Sequence, residues 1–98
     1  MGCEVILAPR AVRDLESIVR YISATDPQTA LHFGKTLVQK AEAVGAFPES
    51  GRVVPELGDT TVREVFYGSY RIVYRVRYPE QIIEIARFWH AAQGEPRI

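Results

Sequence analysis

Glu64, Arg71 and His90 supply a carboxylate, a guanidinium and an imidazole within one short stretch of chain. Together these groups suit cleavage of RNA by its own 2′-hydroxyl. Glu64 would accept the hydroxyl proton, His90 would protonate the leaving oxygen, and Arg71 would hold the charge developing on phosphorus. Arg71 also belongs to a row. In YRIVYRVR (residues 70–77) the arginines 71, 75 and 77 share one parity, and a strand sends alternate side chains to opposite faces. Two other uses of that row stay open. Glu64 would lie diagonal to Arg71 and Arg75, and Glu84 opposite Arg75. Cross-strand pairs of this kind stabilise a solvated sheet face by roughly 0.2–1 kcal/mol each. Alternatively the row is a docking surface, because a guanidinium pairs with carboxylates and stacks on aromatic rings. Glu56, in a long loop, is a second candidate base.

The elements that must position these groups follow from periodicity. Residues 3–8 (CEVILA) read as a first strand. Pro9 suits the first turn of a helix, and Val12, Leu15, Ile18, Val19 and Ile22 recur at spacings of three and four, predicting a helix over 10–24. Asp26-Pro27 is an N-cap with proline at the first helical position. Ala30, Phe33, Leu37, Ala41 and Val44 then stripe a second helix over 27–45, close enough to the first to form a helical hairpin. Residues 46–61 (AFPESGRVVPELGDTT) read as a loop with Gly51 and Gly58 as turn formers, and a loop that long is often functional. Three strands follow, at 62–67, 70–78 and 82–89. The fold class is α+β, in the order β-α-α-β-β-β, with the hairpin packed on a small, mostly antiparallel sheet, as one domain spanning 1–98.

Gly68-Ser69 has the type II′ pattern, so 67 faces 70 and 64 faces 73. Val65, Tyr67, Tyr70, Ile72, Tyr74 and Val76 then face the helices, and Glu64, Phe66, Arg71, Val73, Arg75 and Arg77 face away. With Pro79-Glu80 as the second turn, 77 faces 82 and 71 faces 88, which adds Glu84, Phe88 and His90 to the arginine face. A shift of one residue reverses that parity. Trp89 is expected in sheet-edge packing, or as a partner anchor if exposed. His32 is expected on a helix surface or half-buried, and not as a ligand.

The 98 residues carry twelve Lys+Arg against twelve Asp+Glu, a net charge of zero. Proteins that live on a phosphate backbone usually carry a basic excess. The single cysteine, Cys3, rules out an internal disulfide, fits a reducing cytoplasm, and is expected to pack as a small apolar group. Two histidines and one cysteine do not make a metal set, and no metal or cofactor is expected. The apolar run 5–8 is too short for a signal peptide or membrane span, and Ile6 stands where a myristoylation signal needs Ser or Thr.

Phe47–Glu56 (FPESGRVVPE), Arg63–Tyr74 (REVFYGSYRIVY) and the strand ending Phe88-Trp89-His90 resemble the RelE/ParE toxin superfamily, and the resemblance covers essentially the whole chain. It implies the toxin of a type II toxin–antitoxin module, of the kind often labelled plasmid stabilisation protein. Such a toxin binds a cognate antitoxin as a hetero-oligomer in the cytoplasm, with no membrane partner. RelE-like members are ribosome-dependent mRNA endoribonucleases, and a subgroup of them uses Glu, Arg and His, which would correspond here to Glu64, Arg71 and His90. ParE-like members inhibit DNA gyrase and are not thought to cut anything. Arg71 matches both branches. The tail, residues 91–98 (AAQGEPRI), lacks the Tyr and Lys that the nucleases bring after the last strand. With the zero net charge, this favours the ParE-like branch. The resemblance then makes Arg63, Arg71, Arg75, Arg77, Phe88, Trp89 and His90 the expected partner-binding set.

Overall fold

The computed structural model describes residues 2–98. Strand β1 (Glu4–Leu7) leads into helix α1 (Pro9–Ser23) and helix α2 (Pro27–Ala43), which ends in a 3-10 turn, Val44–Ala46. Strands β2 (Arg52–Val53), β3 (Val62–Tyr67), β4 (Tyr70–Arg77) and β5 (Ile82–His90) follow, and a 3-10 turn, Ala91–Gln93, opens the tail. The sheet order is β1-β5-β4-β3-β2. Among the described residues only the β1–β5 pair is parallel, so the expected α+β architecture, a helical hairpin on a mostly antiparallel sheet, is the one observed. No helix among the described residues is long and apolar enough to cross a membrane.

The helices start where local chemistry dictates. Pro9 and Pro27 occupy first-turn positions, and the Asp26 carboxylate accepts from the Thr29 backbone N–H at 3.1 Å and its hydroxyl at 2.7 Å. The first of these satisfies a backbone donor that a helix start leaves orphaned. On α1 the buried stripe is centred on Ala11 and Ile18, with Leu15 and Ile22 packed beside them, while Val12 turns to solvent. Gly34 of α2 lies against Val19 of α1: a Cβ there would sit 2.9 Å from a Val19 methyl carbon. This lets the two helices approach closely.

Most of the hydrophobic stabilisation lies between the hairpin and the sheet. Leu37 and Ala41 pack with Ile72, Tyr74, Ile83, Ile85 and Phe88. Tyr67, Tyr70 and Cys3 flank this core, half-buried. The opposite sheet face carries a second, smaller core of Val54, Val62, Val73 and Trp89, with Leu57 and Ile98 against it. Two segments thus fold over the face that the arginine row occupies: the loop after β2, and the C-terminal tail, whose Pro96 is buried. The expected loop 46–61 also contains β2, which pairs with Arg63 and Glu64.

The β3–β4 register is as expected, 67 facing 70 and 64 facing 73, with positive φ at Gly68 alone in that turn. On β5 the expectation holds only partway. Arg77 faces Ile82 and Arg75 faces Glu84, but Tyr74 faces Ile85 and Val73 faces Arg87. The extra residue is Ala86, a β-bulge, and everything beyond it changes face. Phe88 and His90, expected among the arginines, therefore lie on the helix side. Trp89 and Arg87 take the far side.

Candidate functional site

The far-face network is built around Arg71, whose side chain is 6% exposed. Its Nε donates to Glu64 Oε1 at 2.6 Å and its Nη2 to Glu64 Oε2 at 3.1 Å. The same Nη2 donates to Glu56 Oε1 at 2.8 Å, and Nη1 donates to Glu56 Oε2 at 2.9 Å. Nη1 also donates to the Gly94 carbonyl at 3.1 Å. A guanidinium has five N–H groups, and all five are engaged. Glu56 and Glu64 hold the Arg71 pKa well above its ordinary value, Glu56 contributing most.

Glu64 is just as constrained. Its side chain is fully buried, and it also accepts from Arg52 Nε at 2.8 Å. Arg52 in turn stacks 5.0 Å from the Phe66 ring, so Phe66 carries a cation on its half-exposed face. Glu56, the loop carboxylate singled out as an alternative base, reaches the network as Arg71's second partner. It does so as a hydrogen-bond acceptor with both oxygens occupied.

Arg71 holds the Glu56 pKa down to about 2 from an ordinary value of 4.5. A carboxylate with a depressed folded pKa adds stability that is fully present above its unfolded pKa and is lost as pH falls through the folded one. The Glu56 contribution should therefore be intact above about pH 4.5 and disappear toward pH 2. Glu56→Gln should flatten the acid limb of the unfolding profile between those limits and leave its shape near pH 7 unchanged. An acid limb identical in the two proteins would mean that Glu56 is solvated in solution.

The remaining expected site residues separate into distinct places. Arg75 and Arg77 share Glu84, at 3.8 and 2.9 Å, and stay 40% and 49% exposed. At that exposure such pairs add little stability, so these guanidiniums can exchange partners. Arg63 lies on the helix side and donates to the Gly51 carbonyl at 2.9 Å. Phe88 and Trp89 are buried within the monomer, and the Trp89 indole donates to the Gly94 carbonyl at 3.1 Å. His90 stands across the sheet from Arg71. Its ring lies edge-on to Tyr70 at 5.0 Å, and its Nδ1 accepts from the Ala92 backbone N–H at 3.1 Å. Glu64 and Arg71 thus meet, while His90 does not join them.

Several fixing contacts were not read from the sequence. The Tyr74 hydroxyl donates to the Pro48 carbonyl at 2.8 Å and accepts from the Gly51 N–H at 3.0 Å, tying the long loop to the sheet centre. Gly51 is required by close approach to Tyr74 and Glu64, and has no positive φ. Beyond Leu7, strand β1 no longer covers β5, and the free Phe88 N–H is taken by Asp14 of α1 at 3.1 Å. Asp14 also accepts from Arg87 at 2.7 and 2.8 Å, and Arg87 reaches on to the Arg97 carbonyl at 2.7 Å. No periodic signal marks a pair 73 residues apart in the chain. Among the described residues no cluster of His, Cys, Asp and Glu has the arrangement of a metal site.

Known proteins share this architecture. The family model described as the ParE toxin of the type II toxin–antitoxin system, parDE, matches residues 5–94. Toxin RelE1 of Caulobacter vibrioides is 29% identical over 95 residues, covering 95% of this chain and 98% of that protein. Among solved structures, a chain of the chromosomal ParDE system from P. aeruginosa superposes with a TM-score of 0.74 at 18% identity, over 91% of this chain and 96% of that one. A chain of the RelBE2 toxin–antitoxin complex from Mycobacterium tuberculosis superposes with a TM-score of 0.67 at 20% identity, over 92% of this chain and 99% of that one.

Proposed function

The chain belongs to the ParE toxin family of type II toxin–antitoxin systems, and from that premise we propose that it arrests growth by binding DNA gyrase and is neutralised by a cognate antitoxin. On this reading both partners are proteins, the complex is a cytoplasmic hetero-oligomer, and toxicity needs no bond-breaking chemistry.

The observation that carries the choice of binding over cleavage is the state of Arg71. All five of its N–H groups are engaged by Glu56, Glu64 and Gly94, which leaves none for a phosphate. His90, on the other face, is remote from Glu64 as a paired acid. The zero net charge points the same way, because ribosomal RNA is a dense polyanion that rewards basic surfaces. Arg75 and Arg77 are the exposed members of the arginine row and the ones we assign to partner contact.

The Caulobacter relative named RelE1 keeps the second reading in view: a ribosome-dependent mRNA endoribonuclease using Glu64, Arg71 and His90. Expression without antitoxin separates the two. Gyrase binding should induce the DNA-damage response with mRNA intact, and purified protein should block supercoiling by gyrase. His90→Ala should leave toxicity in place, while Arg77→Glu should weaken it by charge reversal. The nuclease reading expects mRNA cut at codons, with losses of roughly 10²-fold or more for His90→Ala. Cleavage of mRNA on stalled ribosomes that vanishes in His90→Ala, with the fold retained, would sink the gyrase proposal.

A further inference from the structure

Between α1 and the C-terminal end of β5 lies a cleft of about 220 Å³ that the far-face network does not touch. Ile18 and Phe88 supply its apolar walls. Its polar lining is Ser17 and Tyr21 from α1, Tyr70 from β4, His90 from β5, and Gln93 from the 3-10 turn. From this lining we propose that the cleft receives a carboxylate side chain of the antitoxin. The inference rests on the antitoxin reading above and adds to it a site and a chemistry.

His90 Nδ1 accepts from the Ala92 N–H, so in the neutral ring the proton sits on Nε2, an obligatory donor. The hydroxyls of Ser17, Tyr21 and Tyr70 and the carboxamide of Gln93 make no side-chain hydrogen bond to the rest of the described residues, so each can turn a donor into the cleft. Burial, and to a lesser degree the neighbouring Tyr21, raises the Tyr70 pKa and keeps its hydroxyl protonated. One carboxylate lines the cleft, Asp14. Both its oxygens are already taken, by Arg87 and the Phe88 N–H, and Arg87 balances its charge. The cleft is thus rich in uncommitted donors and holds no unpaired negative charge.

Such a site favours an acceptor group, and most strongly an ionised one, because hydrogen bonds to a charged acceptor are about twice as strong as neutral ones. No lysine or arginine lines it, which disfavours the more highly charged phosphate more than a singly charged carboxylate. Its volume fits one side chain with the apolar stem against Ile18 and Phe88. Tyr21, 82% exposed at the mouth, offers the amphipathic ring typical of protein interfaces.

The test measures affinity of the full-length toxin for its full-length cognate antitoxin. His90→Ala and Tyr70→Phe should each weaken the complex about 10- to 100-fold, the usual loss for a hydrogen bond to a charged group. Ser17→Ala should weaken it less, and His90→Gln, which keeps a donor near the Nε2 position, should retain most of the affinity. Ser17 and Gln93 are exposed, so Ser17→Ala and Gln93→Ala report on the cleft even if the edge-on Tyr70–His90 pair proves needed for folding. Exchanging each acidic antitoxin residue for its amide should find one whose loss weakens binding to the unaltered toxin and adds nothing on His90→Ala. No complex with the unaltered toxin would overturn the antitoxin reading and this inference together. A normal complex that every cleft variant and every amide exchange leaves within twofold would overturn the inference alone.

Discussion

Replacing Arg71 by Met should lower the unfolding free energy by about 3–5 kcal/mol, the usual result of removing one partner from a buried ion pair. Glu64 would keep only Arg52 while its side chain stays fully buried. Glu56 would lose both guanidinium contacts, and the Gly94 carbonyl would lose one of its two donors. Against a typical total of about 5–15 kcal/mol for a domain, that is a large fraction. The urea midpoint should fall with the slope unchanged. Arg71→Met combined with Glu64→Leu should recover much of the loss, since a well-packed apolar replacement of a buried pair is often neutral. The measurement also bears on function. If Arg71→Met costs less than about 1 kcal/mol, as a surface pair would, the guanidinium is solvated and free to meet a phosphate. The case against cleavage would then weaken.

Gly51→Ala should destabilise by about 3 kcal/mol, at the upper end for forcing a methyl group into a packed site. The added Cβ would sit 2.5 Å from the Glu64 carbonyl oxygen and 2.5 Å from the Tyr74 hydroxyl. Neither neighbour yields cheaply. The first is backbone of β3 where β2 pairs with it, and the second is the hydroxyl that holds Pro48 and Gly51 in place. Gly58→Ala is the matched control. Gly58 has φ +65° but nothing within 4 Å of a Cβ, so its cost should be the left-handed strain alone, about 1–2 kcal/mol. Hydrogen exchange should locate the Gly51→Ala damage in residues 48–53. Equal losses for the two variants would mean that the loop is not clamped as described.

The features that depend on neighbouring residues were legible in the chain itself. The apolar spacings marked both helices, Asp26-Pro27 marked the second start, and Gly68-Ser69 set the β3–β4 register, because each is decided within a few residues by backbone geometry. The Arg71–Glu64 meeting followed from that register. Glu56 could be named as a group able to approach the same face, though which of its atoms would be engaged could not. The family resemblance lay in the same stretches and in the last strand.

What the tertiary structure alone decided was which groups remain available. A bulge at Ala86 exchanges the faces of the four residues after it. It places Phe88 over Ile72 in the helix-side core and Trp89 opposite Arg71 in the far-side cluster. A single unpaired residue carries no strong local signal in a strand with apolar side chains on both faces. The Asp14 clamp on Arg87 and Phe88, and the tail laid across the far face, join residues distant in sequence. Their placement depends on contacts that exist only once helix, sheet and tail are assembled. The arginine face was therefore visible as a row of charges. That its first member, Arg71, is buried and saturated, while His90 opens into a different cleft, is a property of the assembled packing.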